Sequence, residues 1–378
     1  MKPTRVLQVL TAMNRGGAET MVMNYYRAMN RNNIQFDFIV HREEVGIYET
    51  EILSLGGKIF RMPALSPSNY FKYIKSLNIF FQSHPEYNVI HSHMNAYSYL
   101  ILKIAKKNNV SIRIAHSHTS IEPFFKKIFL KNTDIVTTIK DSVQSVVRHF
   151  VPNVANYYFS CGQKAGIWLF GKKNYGKVTI INNAVNSAQF SYNLEFSKEY
   201  KKILNLQDKE IIGHVGNFVE AKNHIFLIHV FKKMLEINNN LVLLLVGQGY
   251  LKNKIQEEVK KLEIDSNVRF LGVRDDIPNL MQAFDLFLFP SLYEGLPLTM
   301  VEAQASGLKI IASDTITSEV KVTNLVTFCS LDKPENYWAE LALKNLKYNR
   351  RNTHEDIVDG KYDIEMNAKN LYEFYCNN

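Results

Sequence analysis

Asp285-Leu286-Phe287-Leu288-Phe289-Pro290-Ser291, followed by Leu292-Tyr293 and Glu294-Gly295-Leu296-Pro297-Leu298-Thr299-Met300-Val301-Glu302, changes character twice within eighteen residues. The first part is a short apolar run ended by turn residues and reads as a buried strand. Pro297 suits the first position of a helix, on which Leu298, Val301, Glu302 and Ala305 share one face. The order is therefore strand, loop, helix. Glu294 falls in the loop, and Glu302 falls one turn inside the helix on an otherwise apolar stripe. A carboxylate there is costly unless something donates to it, and a ribose diol donates two hydroxyls. Between the glutamates, the helix N-terminus offers free N–H groups and a positive dipole end that suit a diphosphate. The same residues also allow a plainer arrangement, with Glu302 snorkelling from the edge of the stripe and Glu294 solvated.

Two glutamates with seven residues between them, Gly-Leu-Pro following the first, resemble the donor-site motif of the retaining glycosyltransferases of family 4. The rest of the chain alternates short β-rich runs with amphipathic stretches, the pattern of α/β domains with parallel sheets. Strands are expected at Arg5–Thr11, Phe36–Val40, Val89–His93, Ile112–His116, Ile135–Thr138 and Val178–Ile181. A second series covers Ile211–Gly216, Leu241–Gly247, Val268–Leu271, Asp285–Pro290, Leu308–Ala312 and Leu325–Phe328. Helices are expected at Ala18–Met29 and Tyr97–Lys107, and the polar stretch Asn182 to Asp208 is the expected inter-domain connection. The resemblance implies the GT-B architecture, an α/β fold of two facing, doubly wound Rossmann-like domains around a central cleft. It implies an acceptor-binding domain over residues 1–185 and a donor-binding domain over 186–364. A last helix over 365–378 is expected to cross back to the first domain.

Composition narrows the classes. A chain of 378 residues with 46% hydrophobic content has room for two cores. Cys161, Cys329 and Cys376 lack metal-ligand spacing and read as reduced thiols of a cytoplasmic protein. The first apolar run, Val6 to Leu10, is short and broken by Gln8, which fits a strand and not a signal peptide or span. The net charge of +9 calls for an acidic partner. No nucleic-acid-binding pattern is present. Phe124-Phe125-Lys126-Lys127-Ile128-Phe129-Leu130-Lys131 mixes aromatics with lysines and suits an anionic membrane surface as well as it suits a core-facing helix. The chain is thus expected to sit peripherally on the inner face of the membrane. Lys172-Lys173 and Lys201-Lys202 read as surface charge.

Four further segments carry candidate chemistry. Met13-Asn14-Arg15-Gly16-Gly17-Ala18-Glu19-Thr20 places paired glycines before a helix, where backbone approaches a ligand closely. It resembles the family loop that faces donor phosphates through Gly17 and the acceptor through Gly16. His91 and His93, then His116 and His118, are i, i+2 pairs whose rings point the same way from a strand. No Asp, Glu or Cys cluster completes a zinc set. Ala115-His116-Ser117-His118-Thr119 resembles the family segment whose histidine bonds the transferred sugar, which implies that role for His118. His93 falls to the acceptor side, and His91 and His116 to packing or the same side. His214-Val215-Gly216-Asn217-Phe218-Val219-Glu220-Ala221-Lys222 is a strand ending in glycine, then a loop with lysine. Lys222 would neutralise charge on a departing diphosphate. The family has arginine where this chain has Asn217, which donates a hydrogen bond but brings no charge. Val246-Gly247-Gln248-Gly249 resembles the turn that borders the nucleotide through Gly247. Asp275-Asp276 is expected to cap the helix Ile277–Phe284.

The resemblance extends over nearly the whole chain and is nearest to the branch that builds capsules and exopolysaccharides. Tyr157–Cys161, Trp168–Gly171 and Ile180–Ala184 share that branch's character. It implies retaining transfer of a hexosyl or N-acetylhexosaminyl group from a UDP-sugar to a lipid-linked saccharide. Glu294, His118 and Lys222 would be catalytic. Glu302, Gly295, Leu296, Pro297 and Leu298 would complete the donor site beside Gly216, Asn217 and Gly247. No cofactor and no metal is required in that chemistry. Two other classes remain open on the same residues: a nucleotide-sugar epimerase or hydrolase, and a non-catalytic partner subunit that only binds nucleotide.

Overall fold

Leu241–Val246 is an unbroken run of six apolar residues, and every one of them is buried. The reason is that both faces of its sheet are covered. Leu241, Leu243 and Leu245 pack with Phe231, Ile255 and Trp338. Val242, Leu244 and Val246 pack on the other face with Phe287, Met300 and Ile310. Strands buried on both sides lose the polar alternation of half-exposed ones, as expected for parallel sheets clothed by helices.

The structure is a computed structural model and describes residues 3–119 and 135–378. The chain divides into two compact units, one of Met1–Asn183 with Ile364–Asn378 and one of Ala184–Asp363. In the first, β1 (Thr4–Val9), β2 (Ile34–Val40), β3 (Ile59–Arg61), β4 (Val89–Ser92), β5 (Ile112–Ser117), β6 (Tyr157–Ser160) and β7 (Val178–Ile180) form one sheet. Its order is β3-β2-β1-β4-β5-β6-β7. In the second, β8 (Glu210–Val215), β9 (Leu241–Val246), β10 (Val268–Gly272), β11 (Leu286–Phe289), β12 (Ile310–Ser313) and β13 (Val326–Cys329) pair in the order β10-β9-β8-β11-β12-β13. Both sheets are parallel and reverse their winding once, between β1 and β4 and between β8 and β11. Each unit is therefore a Rossmann-like doubly wound domain, and ligand sites are expected outside the carboxyl ends of those central strands.

Several expectations need correction. Ile135–Thr138 belongs to a helix, Ile135–Val147, and not to a strand. Its β-branched start reads as strand locally, but Ile139, Val143, Val146 and Val147 continue the apolar spacing at helical period. Two strands were not expected at all, Ile59–Arg61 and Tyr157–Ser160. The polar stretch after Asn182 is mostly folded into the second unit as helices Ser187–Phe190 and Leu194–Ile203. Asn186 and Asn193 cap them, and Phe190, Tyr200 and Leu206 anchor them in the core. The helix Ile364–Asn377 groups with the first unit. Phe374 packs on Phe159 and Tyr157, and Tyr375 packs on Phe36. The Phe124–Lys131 segment lies outside the described residues. Among those described, no helix is long and apolar enough to cross a membrane.

Candidate active site

In the second unit, β8 and β11 are neighbours, and the loops at their carboxyl ends are tied together. Leu292 N–H donates to the Ala221 carbonyl at 2.8 Å. Beside that bond, Lys222 Nζ meets Glu294 Oε1 at 2.6 Å, with side chains only 16% and 15% exposed. The ammonium also lies 4.7 Å from the centre of the Phe289 ring, a cation–π contact on the last residue of β11. Glycines let the backbones close in. A Cβ at Gly216 would crowd the Lys222 stem at 3.2 Å, and one at Gly247, where φ is +143°, would strike the Gly216 carbonyl at 2.1 Å. Gly295 is different, because a side chain there would meet open space. Asn217 is exposed, and its side chain has no partner among the described residues.

The helix Leu298–Ala305 begins after Pro297 with no side-chain cap, so its first N–H groups remain open to an acceptor. Leu296 and Leu298 pack against the core and fix this entry. Glu302 follows one turn later, half-buried, with no hydrogen bond or ion pair to its carboxylate among the described residues. Desolvation pushes its carboxyl up to about 7. Two glutamates with seven residues between them thus stand in opposite states, one paired with a cation and one without a hydrogen-bond donor among the described residues. His214 and His224 lie behind the loop with rings 4.7 Å apart, and burial pushes both well down. Asp276 stands at the start of the helix Ile277–Ala283, but its side chain makes no capping bond. Arg274 and the Tyr200 hydroxyl take that carboxylate instead, so the expected cap is corrected to a surface ion pair.

In the first unit the expected residues gather at the carboxyl ends of β1, β4 and β5. Gly16 occupies the N-cap position of the helix Gly17–Ala28 without a side-chain cap. The Glu19 carboxylate fills the space a Cβ at Gly16 would need, and burial raises its pKa. Gly17 has open space around it. The four histidines stack: His91 on His93 at 4.3 Å and His116 on His118 at 4.2 Å between ring centres. Burial holds all four well below the usual imidazole pKa, so they are neutral. Asn95, at φ +48°, accepts from His118 N–H at 2.9 Å and holds that residue at the strand end. Both nitrogens of His93 are engaged, one by Gln8 and one by His118. His118 Nδ1 is buried without a partner among the described residues.

One ring nitrogen each from His91, His93 and His116 lie within 4.8 Å of one another. The sequence offered no such trio, since it separates the pairs. A metal needs lone pairs converging in the ring planes, whereas these rings are stacked, and the 3.0 Å contact of His91 Nε2 with His116 Nδ1 already uses one lone pair. The chemistry fits a hydrogen-bonded cluster better than a metal cage. Gln8 and Tyr375 were missed from the sequence as site residues. The only trace of Gln8 is one amide inside an apolar strand.

Across the chain, the putative glycosyltransferase EpsF of Bacillus subtilis (strain 168) is 37% identical over 381 residues, covering 98% of this chain and 96% of that protein. The chain belongs to the glycosyl transferases group 1 family. The family's description matches residues 196–348, inside the second unit. The capsular polysaccharide biosynthesis glycosyltransferase CapH of Staphylococcus aureus is 27% identical over 380 residues, 98% of each chain. Among solved structures, Anabaena Alr3699/HepE in complex with UDP superposes with a TM-score of 0.78 at 15% identity, over 99% of this chain and 100% of that one. That likeness fixes the fold of this glycosyltransferase as GT-B, in keeping with two Rossmann-like units.

Proposed function

We propose that this glycosyltransferase belongs to the retaining family 4. It would move a hexosyl or N-acetylhexosaminyl group from a UDP-sugar to a lipid-linked saccharide in exopolysaccharide or capsule synthesis. The observation that carries the reading is the loop and helix after β11. There Glu294, an uncapped helix end and the unpartnered Glu302 follow one another within nine residues of the chain, and Lys222 from the loop after β8 pairs with the first of them. The description of CapH supports the pathway, and the UDP held by HepE supports the carrier.

In this reading the C1–O bond of the donor breaks with its electron pair going to the diphosphate. Lys222 and the N–H groups at Leu298 and Thr299 stabilise that charge. The acceptor oxygen forms its bond to C1 from the same face, and its proton passes to the departing phosphate oxygen, so no enzymic base is needed there. Glu294 orients sugar hydroxyls and offsets positive charge on the ring, while Glu302 accepts from the ribose hydroxyls. His118 accepts from a sugar hydroxyl. Neither step needs a metal or cofactor. The basic chain, with Lys126, Lys127 and Lys131 in one aromatic segment, would attach reversibly to an anionic leaflet, each lysine contributing about 1 kcal/mol. Vesicle co-sedimentation that is unaffected by salt or by neutralising those three lysines contradicts the attachment.

Asn217, exposed and uncharged where the family carries arginine, favours a second reading as a partner subunit that binds nucleotide without turnover. One experiment separates the readings. A panel of nucleotide-sugars is screened by thermal stabilisation, and each ligand that binds is assayed with and without a saccharide acceptor. Acceptor-dependent product supports transfer. Product without acceptor supports an epimerase or hydrolase, and stabilisation without product supports the partner subunit.

A further inference from the structure

Six polar groups in the first unit are joined end to end. His118 Nε2 lies 2.8 Å from His93 Nδ1, and His93 Nε2 lies 2.8 Å from Gln8 Oε1. The Gln8 amide nitrogen reaches the Tyr375 hydroxyl at 3.5 Å, and that hydroxyl lies 2.7 Å from His91 Nδ1. His91 Nε2 meets His116 Nδ1 at 3.0 Å. The two remaining ring nitrogens, His118 Nδ1 and His116 Nε2, are buried without partners among the described residues. Register explains the assembly: Gln8 on β1 pairs with His91 on β4, at the point where the winding of the sheet reverses, and the terminal helix delivers Tyr375.

A chain of this kind has one direction. A neutral imidazole carries one N–H and one lone pair, so donating from one nitrogen means accepting at the other. The Gln8 carbonyl accepts from His93 Nε2–H, which leaves His93 Nδ1 to accept from His118 Nε2–H. On the other side the Gln8 amide donates to Tyr375. The Tyr375 hydroxyl donates to His91 Nδ1, and His91 Nε2–H donates to His116 Nδ1. Turning the Gln8 amide over would reverse His93 and His118, whose rings each carry one N–H and one lone pair, whereas His91 and His116 take their direction from the proton that the Tyr375 hydroxyl donates to His91 Nδ1.

We propose that Gln8 and Tyr375 are positioning residues that fix the tautomers of all four histidines, so that His118 presents a bare Nδ1 lone pair to a ligand hydroxyl and His116 presents an Nε2–H donor. The use of that lone pair by a sugar hydroxyl rests on the function proposed above; the tautomers do not. Burial of the rings keeps protons from adding a second donor to any of them. A ring free to turn between tautomers would offer an acceptor only part of the time.

The test is a long-range proton–nitrogen correlation spectrum of the ligand-free full chain carrying nitrogen-15 histidine. The expected spectrum has His118 and His93 protonated at Nε2 and bare at Nδ1, with the same pattern at His91 and His116. Tyr375→Phe removes the donor to His91, so His91 and His116 should become tautomer mixtures while His93 and His118 keep their state. Gln8→Leu should release His93 and His118. The parent spectrum alone decides if either variant fails to fold. Protonated Nδ1 at His118 overturns the proposal, as does a tautomer mixture in the parent. Stoichiometric zinc that shifts His91, His93 and His116 together overturns it in favour of a metal site. None of these readouts needs turnover, so failure to find glycosyl transfer would count against the proposed function and not against the chain.

Discussion

Two polar clusters lie at equivalent places, each at the carboxyl ends of the central strands of its own sheet, and they solve burial in opposite ways. The histidine cluster of the first unit is neutral throughout and pairs nearly every polar atom within itself. The cluster of the second unit keeps charge: Lys222 and Glu294 hold each other at 2.6 Å, while Glu302 has no partner among the described residues. A neutral network costs little to bury but stabilises developing charge weakly. A charged pair is costly to bury, yet it responds to charge that appears during a reaction. The first cluster suits recognition of hydroxyls, and the second suits departure of a phosphate.

The largest effect expected from this contrast is at Glu294. Glu294→Gln should lower turnover about ten- to a thousandfold while UDP still binds, because its charge matters most in the transition state. Steady-state kinetics with calorimetric UDP binding decide the point. An unchanged kcat removes Glu294 from the mechanism and makes the pair with Lys222 merely structural. Thermal unfolding sharpens this further. Removing one partner of a mostly buried pair should cost roughly 1–3 kcal/mol, and the Lys222→Met, Glu294→Gln double variant should cost less than the two single changes summed.

A smaller effect is expected at Glu302, where the proposed ribose contacts would form in the ground state and persist. Glu302→Ala should weaken UDP binding about tenfold or more with little change in kcat. A kcat defect with unchanged affinity would exchange the roles of the two glutamates.

How much of this was legible in the sequence differs between the clusters. Glu294, Glu302 and the strand before them lie in one continuous stretch, so turn chemistry and period place them on a loop and a helix. Lys222 came from its own glycine-ended strand. The pairing of Lys222 with Glu294 needed the adjacency of β8 and β11, strands 72 residues apart along the chain at that contact, which no local period encodes. The histidine pairs were visible as i, i+2 repeats, but their fusion into one chain depends on Gln8 and Tyr375, which bond across 367 residues. Contacts of that range leave no mark in a single sequence beyond an amide where an apolar residue is expected. The misread Ile135–Thr138 and the folded stretch after Asn182 share a cause: short windows report propensity, and tertiary packing overrides it.

The unpartnered state of Glu302 also predicts a pH signature with a definite sign. Its carboxyl is raised from an ordinary 4.5, the value for an exposed glutamate, to about 7 in the folded chain. Between those values the folded state binds a proton that the unfolded chain has lost. Stability from this group is complete below about 4.5, falls as pH rises through about 7, and then levels. Glu302→Gln should therefore gain stability over the parent as pH climbs from 5 to 8, by about 1 kcal/mol once solvent screening is allowed for. At about 2–4 °C per kcal/mol, that gain is a resolvable shift in Tm. Saturating UDP should narrow the difference, because ribose hydroxyls favour the ionised form. A constant offset between the two proteins across this range means that Glu302 is solvated and needs no ligand.

The smallest expected effect is none. Exhaustive chelation should leave transfer within about twofold, because in the proposed donor site Lys222 and the uncapped end of the Leu298–Ala305 helix would supply positive potential to the diphosphate. The two clusters also make opposite predictions should this fail. Loss of activity restored by manganese or magnesium would place a hard cation on oxygen ligands, and Asp275 and Asp276 would be the residues to change first. Loss restored only by zinc would point to His91, His93 and His116, whose nitrogens would then have to break the His91–His116 bond and turn their rings toward a common point. The assay to run is transfer after dialysis against chelator, with each ion added back separately. Activity that survives dialysis leaves the histidines to hydrogen bonding alone and the phosphate charge to Lys222.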